Sequence, residues 1–474
     1  MSIPGLGQAV QTVSMPHTFQ TGLISPQTAL SVPFVEASPI IHEIQANSEW
    51  RFDVAIGQSI QLRILSGTAE IFGTELALNH TYKFQGTKSS IFTWHGCQIE
   101  VKGTCEEYTA EETPMVQYVN THFALEALRE KSEKRASDGP RVLVVGPSNS
   151  GKTSLVKILT AYALRMNRHP MVVNTDTREG VLSIPGTVTA IPFASIIDVE
   201  QGWGSSSTST STPVPAKLPL CYFYGLANPE DNTKLYKPIL TRLALAATSR
   251  MADDKDTNSS GMIIDTPGII SQGKGGYDLI SHIISEFSVN IILVLGSERL
   301  HSEIQRRFSS LKINSSESIT LVKLDKSGGC VDRDDEYLSK SREISIKEYF
   351  FGGPNNTLSP HTLQINFDEV SIYKIKEGNS LSFMPGGEET LEQDIYEKTE
   401  PNSLMLHCML AVMFASEADS QETLRDASVM GFVYVSEVNE KRRKIKVLAP
   451  MNSKITERPL IWGSWPESTM SLIC

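Results

Sequence analysis

Eight residues in this chain have the types and the spacing to hold a phosphate: Gly146-Pro-Ser-Asn-Ser-Gly-Lys152-Thr153. They satisfy G-x-x-x-x-G-K-S/T, the Walker A loop. Glycine tolerates positive φ, so Gly146 and Gly151 let the backbone curl close to an anion. The loop N–H groups and the start of the following helix then point at phosphate oxygens. Lys152 adds a point charge for the β/γ oxygens, and the Thr153 hydroxyl is placed to ligate Mg²⁺.

Other residues could extend that chemistry. Asp265 closes the apolar run in Gly261-Met-Ile-Ile-Asp-Thr-Pro-Gly268. A Walker B acid sits at such a strand end and holds Mg²⁺, often through water. The alternative is an Asp that opens the turn into Pro267-Gly268. Asp176 follows the run Met171–Asn174, so a parallel sheet would bring it out beside the phosphate loop. There it could take a proton from an acceptor hydroxyl or touch the Mg²⁺ shell. A helix cap explains it as well. Val322-Lys-Leu-Asp325 and Asp265-Thr-Pro-Gly268 approximate the GTPase motifs N-K-x-D and D-x-x-G. Val322 stands where guanine reading needs Asn, which disfavours a GTPase-type switch. The polar stretch from Ser327 through Arg333 to Arg342 fits a lid over the phosphates or a solvated helix. Lys441-Arg-Arg-Lys444 fits a nuclear import signal or a solvated hairpin tip.

These residues need a frame. Arg141–Val145 reads as a buried strand before the loop, and Leu155, Ile158, Leu159, Tyr162 and Ala163 recur at helical spacing after it. Apolar runs at Met171–Asn174, Gly261–Ile264, Asn290–Leu295 and Ile319–Val322 alternate with helices. Residues 116–352 are therefore predicted to form an α/β P-loop domain on a parallel sheet, which the resemblance given below implies is kinase-like. Residues 45–115 carry short alternating runs (Gln61–Leu65, Ala69–Phe72, Ser90–Trp94, Gln98–Val101), the pattern of a β-sandwich. Cys105–Pro114 reads as an acidic linker and Val116–Glu133 as a helix. Trp203–Pro213 and Asp253–Ser260 read as surface loops. Residues 353–474 read as a β-rich C-terminal domain, with Gly431–Val435 and Lys444–Leu448 forming a hairpin. Residues 1–44, rich in Gln, Ser, Thr, Pro and Gly, read as a mostly disordered tail.

The whole chain sets bounds. At 474 residues it is too long for one core, so two or three domains are expected. A net charge of −11 opposes broad non-specific binding to nucleic acid, while leaving room for a local RNA groove. The six cysteines are scattered without a C-x-x-C pair. They read as reduced thiols in an intracellular protein rather than a metal site or a disulfide framework. No run is long enough to span a bilayer, and the N-terminus lacks the pattern of a secretion signal, so no membrane is expected.

Several motifs together resemble a known family. They are Glu70-Ile-Phe-Gly-Thr-Glu-Leu-Ala77, Gly139–Ser154 around the loop, Ile263-Ile-Asp-Thr-Pro267, Val289–Leu295, Ile346-Lys-Glu-Tyr-Phe-Phe-Gly352 and Gly431–Lys444. The chain resembles the ATP-binding, kinase-like subunit of the pre-mRNA cleavage and polyadenylation machinery, in its fungal form. That family is related to RNA 5′-hydroxyl kinases.

The resemblance implies a nucleotide lying between the first two domains. Glu49, before Trp50, and Lys88 would reach it from the sandwich. Asn149, Ser150, Gly151, Lys152, Thr153 and Ser154 would hold it from the loop, with Mg²⁺ at Thr153 and Asp265. It implies ATP as cofactor and a nuclear location. The partner would be the scaffold subunit of cleavage factor IA, which contacts the RNA polymerase II C-terminal domain. Other 3′-end processing factors and RNA would be reached through that complex. Kinase-active relatives carry Asp-x-x-Gln at the acceptor side; here the pair is Asp176 and Glu179. They also carry an arginine-rich lid. Here Arg333 and Arg342 remain, but Leu338 and Ser339 stand where arginines are expected. The resemblance therefore predicts ATP binding with little or no phosphoryl transfer. Asp176 and Arg333 would be the catalytic pair if the chain were an active RNA 5′-hydroxyl kinase.

Overall fold

In the computed structural model, the Walker A strand Arg141–Val145 lies inside a seven-stranded sheet. The spatial order is Leu220–Phe223, Thr187–Pro192, Met171–Asn174, Met262–Asp265, Arg141–Val145, Ile291–Leu295 and Thr320–Leu324. The last five are parallel, and they are the five strands expected from the apolar runs. The first two extend the sheet antiparallel, so it is mixed with a parallel middle. Thr187–Pro192 was hidden by its composition. Its Thr187 and Thr189 are fully buried, yet they make the run look polar.

Alternation along Arg141–Val145 sets the layers. Val142 and Val144 face the helices Met115–Arg135 and Lys152–Arg165. Leu143 and Val145 face Thr233–Ala252 and Gly273–Glu286. A parallel sheet covered on both faces needs such a continuously apolar strand. Asp253–Ser260 is not a plain loop. Lys255–Ser260 is a short helix capped by Asp254, and its Thr257 and Ser260 are buried.

The sandwich packs two antiparallel sheets. One is ordered Ile40–Ile44, Cys97–Lys102, Ser59–Gly67, Thr81–Gln85; the other Thr74–Glu75, Glu70–Ile71, Lys88–Thr93, Ser48–Asp53, Glu106–Ala110. Two expectations are corrected here. Ile40–Ile44, placed in the tail, is an edge strand paired with Cys97–Lys102. Glu106–Ala110, placed in the acidic linker, is an edge of the other sheet, paired with Ser48–Asp53. An edge strand can be held by backbone pairing with its side chains in water, and Glu106–Thr109 are exposed. Such a strand leaves no apolar alternation in the sequence.

The C-terminal part is a seven-stranded sheet around Val429–Asn439, Met409–Met413 and Leu460–Trp462. The expected hairpin is present as Val429–Asn439 paired with Lys444–Ala449, with Lys441–Arg443 in its turn. One face of this sheet, including Phe432 and Tyr434, merges with the core of the central sheet. From Pro39 onward the chain forms one compact unit. The structure describes residues 38–200, 202–203, 219–268, 273–308, 312–313, 317–353, 356–376, 395–451 and 455–472. The tail reading over 1–37 and the loop reading over 204–213 lie outside them. Among the described residues no helix is long and apolar enough to cross a membrane.

Candidate functional site

Of the two loop glycines only Gly151 takes positive φ, 87°; the other such position is Asn149, at 55°, while Gly146 serves the close approach of its neighbours. A Cβ on Gly151 would lie 2.6 Å from Cys330 Sγ, and one on Gly146 2.8 Å from the Leu295 carbonyl oxygen. Helix Lys152–Arg165 starts directly after Gly151 with no side-chain cap, leaving its first N–H groups open to an anion. Lys152 is buried and donates to the Pro147 carbonyl at 2.8 Å. Burial holds its pKa below the ordinary lysine value. The Ser150 hydroxyl is buried without a partner. An enclosed ammonium, an orphan hydroxyl and free N–H groups together fit a polyphosphate.

Asp265 ends its strand in register with Val144, so the sheet itself sets it beside the loop. Thr153 Oγ1 donates to Asp265 Oδ2 at 2.6 Å, while Oδ1 is buried with no partner. Burial pushes the carboxyl pKa up to about 7. Two hard oxygens at this place suit a divalent cation that takes its other ligands from phosphate and water. Among the described residues no three His, Cys, Asp or Glu side chains converge as a metal cage.

Asp176 emerges beyond Asn174, which is in register with Asp265. Its Oδ1 accepts from Arg178 N at 2.9 Å, so it opens a turn; the helix-cap alternative falls because no helix follows. Burial, then the charge of Glu179, raises its carboxyl pKa to about 6. Glu179 takes both ends of the Arg333 guanidinium, at 3.0 and 2.5 Å. Arg333 Nε also reaches Asn149 Oδ1 at 3.4 Å. Helix Asp335–Phe351 follows, capped by Asp334. Its Arg342 is buried, bonded to Glu467 at 3.1 Å through Nε, and stacked 4.5 Å from the Trp465 ring centroid. The stretch is thus an extended loop through Arg333 and then a helix, and both line the cleft.

The sandwich forms the opposite wall. Glu49, Arg51 and Asp53 alternate along one strand and share a face. Glu49 is buried, with its carboxylate on Arg51 Nε at 2.8 Å and on the Thr113 hydroxyl. Lys88 pairs with Asp53, its partner in register, and its ammonium lies 5.4 Å from the Tyr337 ring centroid. Glu49, Lys88, Asn149, Ser150, Gly151, Lys152, Thr153, Ser154, Asp176 and Arg333 all line one cleft of about 1450 Å³. Gly146 and Asp265 lie just behind it. The sandwich is docked by the Glu70–Ala77 motif. Buried Glu70 accepts from Tyr162 and, at 2.9 Å, from Arg165 on the P-loop helix.

Sequence reasoning missed Arg51, which reaches the Ser327 hydroxyl at 3.4 Å, and Glu467. Period-two spacing from Glu49 could have found Arg51. Nothing local marks Glu467. Asp325 is occupied, taking Gln117 Nε2 at 2.6 Å, and Val322 lies inside its strand. Both observations weigh against a guanine-reading role.

Family models match the chain in three parts. Residues 43–132 match the N-terminal beta-sandwich domain of polyadenylation factor, and 146–352 the mRNA cleavage and polyadenylation factor CLP1 P-loop. Residues 358–467 match the pre-mRNA cleavage complex II protein Clp1. The chain belongs to the Clp1 family. It is 66% identical over 475 residues to the mRNA cleavage and polyadenylation factor clp1 of Botryotinia fuckeliana, covering 100% of both chains. It is 44% identical over 485 residues to that of Phaeosphaeria nodorum, again covering 100% of each. Among solved structures it is similar to a wild-type Clp1p–Pcf11p complex, with TM-score 0.81 and 29% identity over 91% of this chain and 98% of the other. A second Clp1p structure matches at TM-score 0.81 and 29% identity, covering 91% and 99%. It describes an extended interface between Pcf11p and Clp1p and ATP loss in a glycine-to-arginine point mutant. The Clp1-family assignment agrees with the resemblance carried by the sequence motifs.

Proposed function

We propose that this chain is the ATP-binding subunit of the nuclear pre-mRNA 3′-end cleavage and polyadenylation machinery, and that its ATP is structural. The observation that carries the structural reading is the state of the two arginines over the cleft. Arg333 is held bidentate by Glu179, and Arg342 is turned away onto Glu467. Phosphoryl transfer builds charge on the phosphoryl oxygens, and free guanidinium groups stabilise it, at roughly 10³–10⁵ in rate. A guanidinium already bonded to a carboxylate has little left to offer.

Lys152, Ser150 and the loop N–H groups would hold the phosphates, with Thr153 and Asp265 on Mg²⁺. Glu49 and Lys88 would reach the nucleotide from the sandwich. The bound nucleotide supplies the negative charge that Lys152 lacks. The Clp1p–Pcf11p complexes support the scaffold subunit of cleavage factor IA as the partner.

The test is to identify the nucleotide released from purified protein and to assay the same sample on 5′-hydroxyl RNA. ATP carried intact, with no labelled RNA, is the expected result. A second reading, active RNA 5′-hydroxyl kinase, is favoured by the Asp176 pKa of about 6, which suits a general base. Transfer that Asp176→Asn abolishes would replace the structural reading with this one.

A further inference from the structure

The loop that leads into helix Asp335–Phe351 runs between two fixed points. It leaves its strand at Asp325, whose carbonyl accepts from the Tyr118 hydroxyl at 2.8 Å and whose carboxylate accepts from Gln117 at 2.6 Å. It ends in the helix that Arg342 fastens to Glu467. Between these points it passes over the P-loop. Cys330 Sγ lies 2.6 Å from where a Cβ on Gly151 would be, and Arg333 Nε reaches Asn149 Oδ1 at 3.4 Å. Ser327, Gly329, Cys330 and Arg333 line the same cleft as Lys152 and Thr153.

One buried side chain of the sandwich meets this loop from the other side. Arg51 bonds Glu49 through Nε at 2.8 Å, which leaves its two outer nitrogens to reach further. Nη2 donates to the Ser327 hydroxyl at 3.4 Å and to the Glu112 carbonyl at 3.3 Å, and Nη1 to the Tyr108 hydroxyl at 3.4 Å. The two glycines of the loop lie flat on the guanidinium. A Cβ would be 3.3 Å from Nη1 at Gly328 and 2.8 Å from Nε at Gly329. The Ser327 hydroxyl also accepts from Gly329 N at 3.1 Å, and its carbonyl accepts from Cys330 N at 3.1 Å, so the turn is built on the residue Arg51 holds. Bonds longer than about 3.2 Å are weak ones. The contact is therefore close in fit and modest in strength, and it can open without unfolding either side.

We propose that Arg51 is a positioning residue that pins the turn 327–330 over the P-loop and so sets the rate at which nucleotide enters and leaves. The proposal rests on the reading of the P-loop as the ATP site. Gly328 and Gly329 serve as the hinge, since glycine absorbs backbone rotation that other residues resist. A gate on the path raises the barrier to entry and to exit alike, and leaves affinity, which depends only on the end states, nearly alone.

Arg51→Ala would leave the buried Glu49 carboxylate without its partner and so confuse the test. Gly329→Ala keeps the Arg51–Glu49 pair and pushes the turn off the guanidinium. Arg51→Lys keeps a positive charge beside Glu49 and loses the fork that reaches Ser327. Full-length protein is loaded with radiolabelled MgATP, release is timed after dilution into unlabelled MgATP, and Kd is measured by equilibrium dialysis; the uptake rate is the ratio of the two. Gly329→Ala should raise release and uptake together, each at least about tenfold, with Kd changed less than about threefold. Arg51→Lys should speed release at least about tenfold, and the double variant should be little faster than either single one, because both break the same contact. Release at the wild-type rate in both single variants overturns the proposal. So does release that rises only in proportion to Kd with uptake unchanged, which would make Arg51 a binding contact and not a gate. Wild-type protein that takes up no ATP would overturn the P-loop reading itself, and the gate with it.

Discussion

At the scale of the residue, the site is a contest for a few charges. Lys152 is buried and, among the described residues, hydrogen-bonds to a carbonyl and to no anion, which leaves its ammonium suited to phosphate. Lys152→Ala should abolish nucleotide retention, read by chromatography of the released nucleotide. It should also remove the stabilisation that a ligand bound only to the folded state confers, about 4 kcal/mol at a thousandfold excess over Kd, read as a lower Tm. Glu179 decides what Arg333 can do. A neutral amide there would keep the shape and release the guanidinium. Glu179→Gln should raise phosphoryl transfer to 5′-hydroxyl RNA at least about tenfold above background, and adding Arg333→Ala should remove the gain. A radiolabel assay in which Glu179→Gln stays at background would show that the pairing is not what limits transfer.

The residues of the loop were legible because one short motif fixes both their spacing and their backbone. Asp265 and Asp176 were legible as acids at strand ends, but not in their surroundings. Helix cap or base was an open choice for Asp176 until the Arg178 N–H settled the turn. Glu467 was illegible in principle: it meets Arg342 from 125 residues away, and only the folded C-terminal sheet brings it there.

At the scale of the element, apolar periodicity recovered the five parallel strands and the hairpin. It failed where a strand's faces do not differ in polarity the usual way. Thr187–Pro192 is buried but threonine-rich, and Glu106–Ala110 is an exposed edge. The Glu70–Ala77 turn shows what a motif of no evident chemistry is for. Gly73 has φ +83°, and a Cβ there would lie 3.0 Å from the Ile158 carbonyl oxygen of the P-loop helix. Gly73→Ala should therefore loosen the sandwich against that helix, at a cost of roughly 1–3 kcal/mol for backbone strain. The predicted signature is a lower Tm together with weaker ATP retention, although Gly73 does not line the cleft. A variant that lost stability but held ATP unchanged would show that docking and nucleotide binding are uncoupled.

At the scale of the whole molecule, the sandwich and the P-loop domain meet around one acidic cleft. That arrangement predicts how stability should follow pH. Burial, before any charge, raises the folded pKa of Asp265 to about 7 and of Asp176 to about 6. Both exceed the ordinary aspartate value near 3.9 that the unfolded chain would have. Between those limits the folded state binds more protons than the unfolded state, so stability falls as pH rises. The nucleotide-free chain should lose Tm from about pH 4.5 to about pH 7, and the slope should flatten in Asp265→Asn. MgATP should reverse the trend. A cation pairs with the ionised Asp265 carboxylate, so binding should expel a proton and tighten as pH rises through that range. Thermal melts across pH, with and without MgATP, read both slopes from one set of samples. If the nucleotide-free melts do not change with pH, these carboxylates are paired in solution by something other than nucleotide. In that case the cleft would not depend on its ligand to hold the sandwich and the P-loop domain together.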